Sequence, residues 1–206
     1  NRLKVQLHYI DSELLTEENA VVQLENMDGI LVAPGFGERG TEGKIAAIKI
    51  ARTQQLPFFG ICLGMQMAII EFARNVVGIE GANSGESRPG HPENVIDLMP
   101  EQSGHEETGG TMRLGSQTTV LKESSLIAKI YNKTTISERH RHRYEVMNEF
   151  VPKFEEAGLS ISGKHPERDL VETIELPEHP WFIGCQYHPE LQSKPLNPHP
   201  LFSSFI

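Results

Sequence analysis

Cys62 lies in the stretch PFFGICLGMQMAII, residues 57–70, between Gly60 and Gly64, where an apolar run meets an amphipathic one. A strand that turns sharply into a helix holds such a residue proud of its surroundings, and flanking glycines admit the crowded backbone of the turn. The first turn of the helix directs free N–H groups and its positive end at the sulfur, which favours the thiolate. The N–H of Leu63 would face the oxygen of a carbonyl under attack and supply half of an oxyanion hole. Gly35, in the loop PGFG (residues 34–37), is the candidate for the other half. A small core residue is the ordinary alternative for a free cysteine. The glycine pair, with a strand before and a helix after, favours the nucleophile.

A thiolate that attacks an amide needs a base that later protonates the leaving amine. Of the nine histidines, His188 is best placed, because WFIGCQYHPE sets it at the end of an apolar strand with Glu190 two residues on. A carboxylate beside that ring fixes its tautomer and stabilises the imidazolium. The tripeptide HPE also occurs at His91 and His165, so the strand-end setting, not the tripeptide, singles out His188. Cys185, within the same apolar strand, is read as core.

The elements that must position these groups are legible in outline. LKVQLHYI (residues 3–10) alternates apolar and polar residues as a half-buried strand does. Residues 11–26 read as a helical connection, with Thr16 as a candidate N-cap before Glu17 and Glu18. Residues 30–33 form a short buried strand that runs into a loop with Gly35, Gly37 and Gly40, and EGKIAAIKIARTQQ has helical spacing. LPFFGI is the next strand and MQMAIIEFARNVV the next helix, a rhythm that predicts a parallel sheet covered on both faces. Residues 81–110 form a Gly-, Pro- and Ser-rich excursion, partly irregular. TMRLGSQTTVL then predicts a strand pair and LIAKIY a short helix. RHRHRYEV reads as extended, while LSISGK, LVETIEL and WFIGCQYH are strands that add an antiparallel part to the parallel core. No repeat or linker divides the chain, so one domain, residues 1–206, is expected.

The net charge of -9 argues against a general nucleic-acid binder. Two cysteines make no disulfide framework, which points to a reduced, cytoplasmic setting. No apolar run is long enough to cross a bilayer, and the polar start NRLKVQLHYI is not a signal peptide.

PGFGERG, GICLGMQ and CQYHPE, in that order, resemble the class I glutamine amidotransferases. NSGE, DLMPEQ, GGTMRLG and ERHRHRYEV look like the glutaminase domains of the CTP synthase family, and the likeness runs over essentially the whole chain. The resemblance implies an α/β, flavodoxin-like amidotransferase fold, with a mostly parallel central sheet flanked by helices and a small antiparallel sheet. It implies that Cys62 attacks the side-chain amide of L-glutamine, that His188 is acid and base, and that Glu190 orients His188. Gly35 and Leu63 match the family's glutamine and oxyanion contacts; Gly64, Met65, Gln66, Glu86 and Arg143 match the remaining glutamine-binding positions. A carboxylate and a guanidinium suit the α-ammonium and α-carboxylate of an amino acid.

The resemblance further implies that this domain needs no cofactor. A synthetase half, which uses ATP and Mg2+ to aminate UTP with the released ammonia, is absent from the chain. GTP is implied as an allosteric activator and a homotetramer as the full enzyme. The family also carries a strand and helix before residues 3–13 and a helix after HPLFSSFI, so a trimmed domain is expected. Departures from its pattern are Pro34 at the first glycine of the oxyanion loop, Gly85 for threonine, Met147 within the usual EVN and Leu191 for phenylalanine.

In an extended RHRHR, Arg139, Arg141 and Arg143 share one face and His140 and His142 the other. Zinc ligation, a solvated edge strand, and service to an anionic substrate or partner domain are its three readings. No Cys or third His stands at ligand spacing, so no metal is assigned. Rival functions are an amidotransferase for another acceptor, a γ-glutamyl peptidase, and a regulatory module with an idle triad.

Overall fold

β2 (Phe58–Ile61) is buried at all four positions, and its side chains alternate between two cores. The computed structural model describes residues 3–99 and 112–206. Phe58 joins the core shared with β1 (Ile30–Val32), α2 (Thr41–Thr53) and α3 (Leu63–Phe72). Phe59 and Ile61 join the other, with Trp181, Ile183, Cys185 and Tyr187. A strand covered on both faces reads as a continuous apolar run, as PFFGI does.

Seven strands form one sheet in the order β1-β2-β10-β9-β8-β5-β6. β10 (Phe182–Cys185) pairs with β2 in parallel, as β1 does on its other side. β9 (Val171–Glu175), β8 (Ser160–Lys164), β5 (Arg113–Leu121) and β6 (Thr135–His142) continue the sheet in antiparallel pairings. The expected antiparallel part therefore extends the parallel core directly. A second, three-stranded sheet joins β3 (Asn83–Ser84), β4 (Asn94–Asp97) and β7 (Glu145–Val146). It draws part of the irregular excursion into order; residues 100–110 of that excursion lie outside the described residues. Helices α4 (Leu126–Tyr131), α5 (Val151–Glu156) and α6 (Pro200–Phe205) complete the cover.

Three sequence expectations need correction. Residues 3–10 form no strand: Leu3, Leu7 and Tyr9 are exposed, and no strand pairs with them among the described residues. Alternation earns nothing without a neighbouring backbone to accept its hydrogen bonds. The predicted strand pair of residues 111–121 is the single strand β5, in which Gly115 takes φ 83° opposite His140 and marks a distortion rather than a turn. Residues 11–26 yield only the short helix α1 (Ala20–Gln23). The N-cap of α1 is Asn19, not Thr16, although the two exchange hydrogen bonds in the preceding turn: Thr16 Oγ1 accepts the Asn19 N–H at 3.3 Å and Asn19 Oδ1 accepts the Thr16 N–H at 2.9 Å.

Candidate active site

β2 ends in a turn of one residue, and that residue is Cys62. Its φ of 52° and ψ of -103° are a conformation that L-residues rarely adopt, and α3 begins at the next position. The Cys62 N–H donates to the Cys185 carbonyl at 2.7 Å, so the adjacent strand β10 fixes the turn. The two glycines serve close approach rather than unusual torsions. A Cβ on Gly64 would sit 2.2 Å from the Val32 carbonyl oxygen, and one on Gly60 would sit 2.8 Å from the Gly64 backbone. Gly64→Ala therefore forces backbone to move and is expected to lower stability by about 3 kcal/mol, read from denaturant midpoints at unchanged m.

Cys62 exposes only 3% of its surface, yet it lines a cleft of about 220 Å³ whose wall also includes Gly35, Gln66, Glu86 and Arg143. The cleft therefore gives a route to the sulfur. Gly35 lies against the start of α3, where an added Cβ would be 3.1 Å from Leu63 Cδ2. The Gly37 N–H donates to Glu86 Oε1 at 2.9 Å, which ties the glycine loop to the carboxylate. Arg143 Nε is buried and has no hydrogen-bond partner among the described residues. Leu63, Gly64 and Met65 are not among the residues that line the cleft, and the Met65 side chain is fully buried against Gly184. At Gly85 a Cβ would meet the Asp97 carboxylate, so a side chain there would require Asp97 to turn away.

His188 follows β10 and is buried next to Cys62; its Nδ1 lies 2.6 Å from Glu190 Oε1. Pro189 opens a single 3-10 turn, Pro189–Leu191, that swings the carboxylate back onto the ring. Burial works against the imidazolium, but interaction with Cys62 and hydrogen bonding to Glu190 prevail and raise His188 to about 10. Nε2 is buried and forms no hydrogen bond among the described residues, while the interaction with Cys62 that raises the ring sets the two side chains close together. Burial also pushes the Cys185 thiol up, which leaves it inert as a nucleophile.

The loop carrying His188 and Glu190 is clamped to β6. The His188 N–H donates to the Arg139 carbonyl at 2.8 Å, and the Gln192 amide donates to the Ser137 carbonyl at 3.1 Å and to Glu138. Glu138 also meets Tyr131 and His199, each at 2.8 Å. Releasing the exposed Gln192 side chain with Gln192→Ala is expected to lower kcat about tenfold with KM and melting temperature nearly unchanged, because displaced catalytic groups lose rate steeply.

RHRHR alternates over its first four residues, with Arg139 and Arg141 outward and His140 and His142 buried, but β6 ends at His142 and Arg143 does not share the exposed face: it is half-buried in the cleft wall. The inward rings join an ion cluster. Arg113 bridges Glu145 at 3.0 Å and Glu172 at 2.6 Å, and His142 Nε2 lies 2.8 Å from Glu145. Burial and then Arg113 push His140 down to about 2, so it stays neutral. A guanidinium at the centre makes this a structural support behind the cleft. No group of His, Cys, Asp and Glu among the described residues is arranged to hold a metal.

Gln186 is the residue that sequence reasoning passed over. It is fully buried, and its Nε2 lies 3.6 Å from Cys62 Sγ. A polar side chain inside the apolar run WFIGCQYH was the available signal, since buried polar groups require partners.

A strained cysteine between strand and helix, with a histidine–carboxylate pair at the end of the adjacent strand, has the geometry of a nucleophile elbow. The glutamine amidotransferase class-I family matches residues 1–206, and the chain belongs to that family. It is 55% identical over 206 residues to the CTP synthase of Geobacter metallireducens and 50% identical over 203 residues to that of Listeria monocytogenes. It spans 38% of the length of each of these relatives. The glutaminase domain of Trypanosoma brucei CTPS, solved with bound acivicin, superposes with a TM-score of 0.93 at 39% identity, covering 99% of this chain and 80% of that one. A GMP synthase subunit from Thermoplasma acidophilum, described as putative, is similar in fold at 16% identity with a TM-score of 0.58. Among the described residues no helix is long and apolar enough to cross a membrane.

Proposed function

We propose that the chain is the glutaminase portion of a CTP synthase and hydrolyses L-glutamine to glutamate and ammonia. The observation that carries this reading is the strained Cys62 placed beside the His188–Glu190 pair and opening on the cleft that holds Glu86 and Arg143. Glu86 would receive the α-ammonium and Arg143 the α-carboxylate, which sets the side-chain amide of the substrate toward the sulfur. The Cys62 thiolate attacks the amide carbon, and the oxyanion is met by the N–H groups of Leu63 and Gly35. Pro34 has no N–H to offer, so the second donor falls to Gly35. The His188 imidazolium gives its proton to the departing nitrogen, ammonia leaves, and a thioester remains. Water, deprotonated by His188, then attacks the thioester, the sulfur leaves as the thiolate, and glutamate is released with the thiolate and imidazolium restored.

The ammonia is passed to a synthetase portion that aminates UTP to CTP in a cytoplasmic setting. ATP and Mg2+ belong to that portion, with GTP as activator and a homotetramer as the assembly; no residue here is assigned to them. The test combines the chain with glutamine and then with the synthetase portion, UTP and ATP. Glutamate release and CTP formation in equal amounts support the reading. Glutamate without CTP overturns the assignment of the acceptor, and hydrolysis of γ-glutamyl peptides in preference to glutamine overturns the substrate.

A further inference from the structure

We propose that Gln186 is a further catalytic residue, whose side-chain amide donates to the Cys62 sulfur and stabilises it as the thiolate. The inference rests on Cys62 being the nucleophile. The orientation of the amide follows from its neighbours. Gln66 Nε2 lies 3.0 Å from the Tyr144 carbonyl oxygen, an atom that can only accept, so the nitrogen of Gln66 must be on that side. The same nitrogen lies 3.1 Å from Gln186 Oε1. Turning Gln186 over would set two NH2 groups against each other, so its oxygen faces Gln66 and its Nε2 faces the sulfur, 3.6 Å away. The backbone is equally fixed, for the Gln186 N–H donates to the Glu172 carbonyl at 2.8 Å and the preceding residue holds the Cys62 N–H.

An N–H donor against sulfur favours the charged form, and a charge-assisted hydrogen bond is about twice as strong as a neutral one. Gln186 and Gln66 are both buried, so water does not compete for the contact. Gln66 also lines the cleft. The relay from the Tyr144 carbonyl through Gln66 and Gln186 thus links the substrate wall to the nucleophile.

The experiment measures alkylation of Cys62 by iodoacetamide against pH, by mass spectrometry, in the chain and in its Gln186→Glu and Gln186→Met variants. Gln186→Glu keeps the shape and the acceptor for Gln66 but removes the donor; Gln186→Met keeps the shape alone. Both are expected to alkylate about tenfold more slowly at neutral pH, with rates equal to the parent at high pH where every thiol is ionised. Glutamine turnover falls in parallel, with kcat lowered about tenfold and KM nearly unchanged. Parental alkylation at neutral pH in whichever variant folds overturns the proposal, as does a deficit that persists at high pH, which reports lost access. Alkylation does not require glutamine. A chain that shows the Gln186 effect but releases no glutamate refutes the glutaminase reading and leaves this inference standing.

Discussion

Cys62→Ala abolishes glutamate release, with kcat down by about 10⁴-fold or more. No other group can take over the attack, since the second cysteine is sealed in the core and held as the thiol by burial. The chain itself stays folded, because alanine retains the Cβ and occupies the same turn. Cys62→Gly separates strain from chemistry. With φ at 52° and ψ at -103°, any L-residue here is strained, and glycine is not. Cys62→Gly is therefore expected to unfold at higher denaturant than Cys62→Ala, by about 1 kcal/mol, while being equally inactive. Equal stability of the two variants would show that the turn stores no strain.

His188→Ala lowers kcat by about 10² to 10⁴-fold, the range for a lost general acid and base. The companion variant Glu190→Gln tests how the ring is held. His188 is raised to about 10, with burial opposing and Cys62 and Glu190 supporting the imidazolium. The ring therefore remains charged through neutral pH and can protonate the leaving nitrogen. Its contribution to stability has the sign of a raised group: fully present below the ordinary histidine value of about 6.5 and lost as pH rises through about 10. In kcat/KM the alkaline limb that reports loss of the His188 proton is expected near pH 10, moving toward neutrality in Glu190→Gln. An alkaline limb that does not move in Glu190→Gln would remove the carboxylate from the mechanism.

The elbow was legible because its requirements are local. Gly60, Cys62 and Gly64 fall within five consecutive residues, and the two glycines leave no room for a Cβ, as the 2.8 Å and 2.2 Å approaches show. His188 and Glu190 were legible for the same reason, being two residues apart across a proline. Alternation alone decided little. It set His140 and His142 on the face opposite Arg139 and Arg141, as found, because β5 and β8 supply a sheet for β6 to join. It also suggested a strand at residues 3–10, where no neighbour among the described residues pairs with them and the apolar side chains stand exposed. TMRLGSQTTVL read as a strand pair because a sequence does not show that β6 runs opposite β5 from Arg113 to Val120. Gln186 was hidden for a different reason: its role depends on Gln66, 120 positions away, and only the folded chain brings the two amides together.

Treatment with a diazo-ketone analogue of glutamine, followed by peptide mass spectrometry, is the most direct measurement. One adduct per chain on Cys62, suppressed by excess glutamine and absent from Cys62→Ala, is the predicted result. Modification of any other side chain in preference, or labelling indifferent to glutamine, would mean that the sulfur at the end of β2 is not where the substrate reacts.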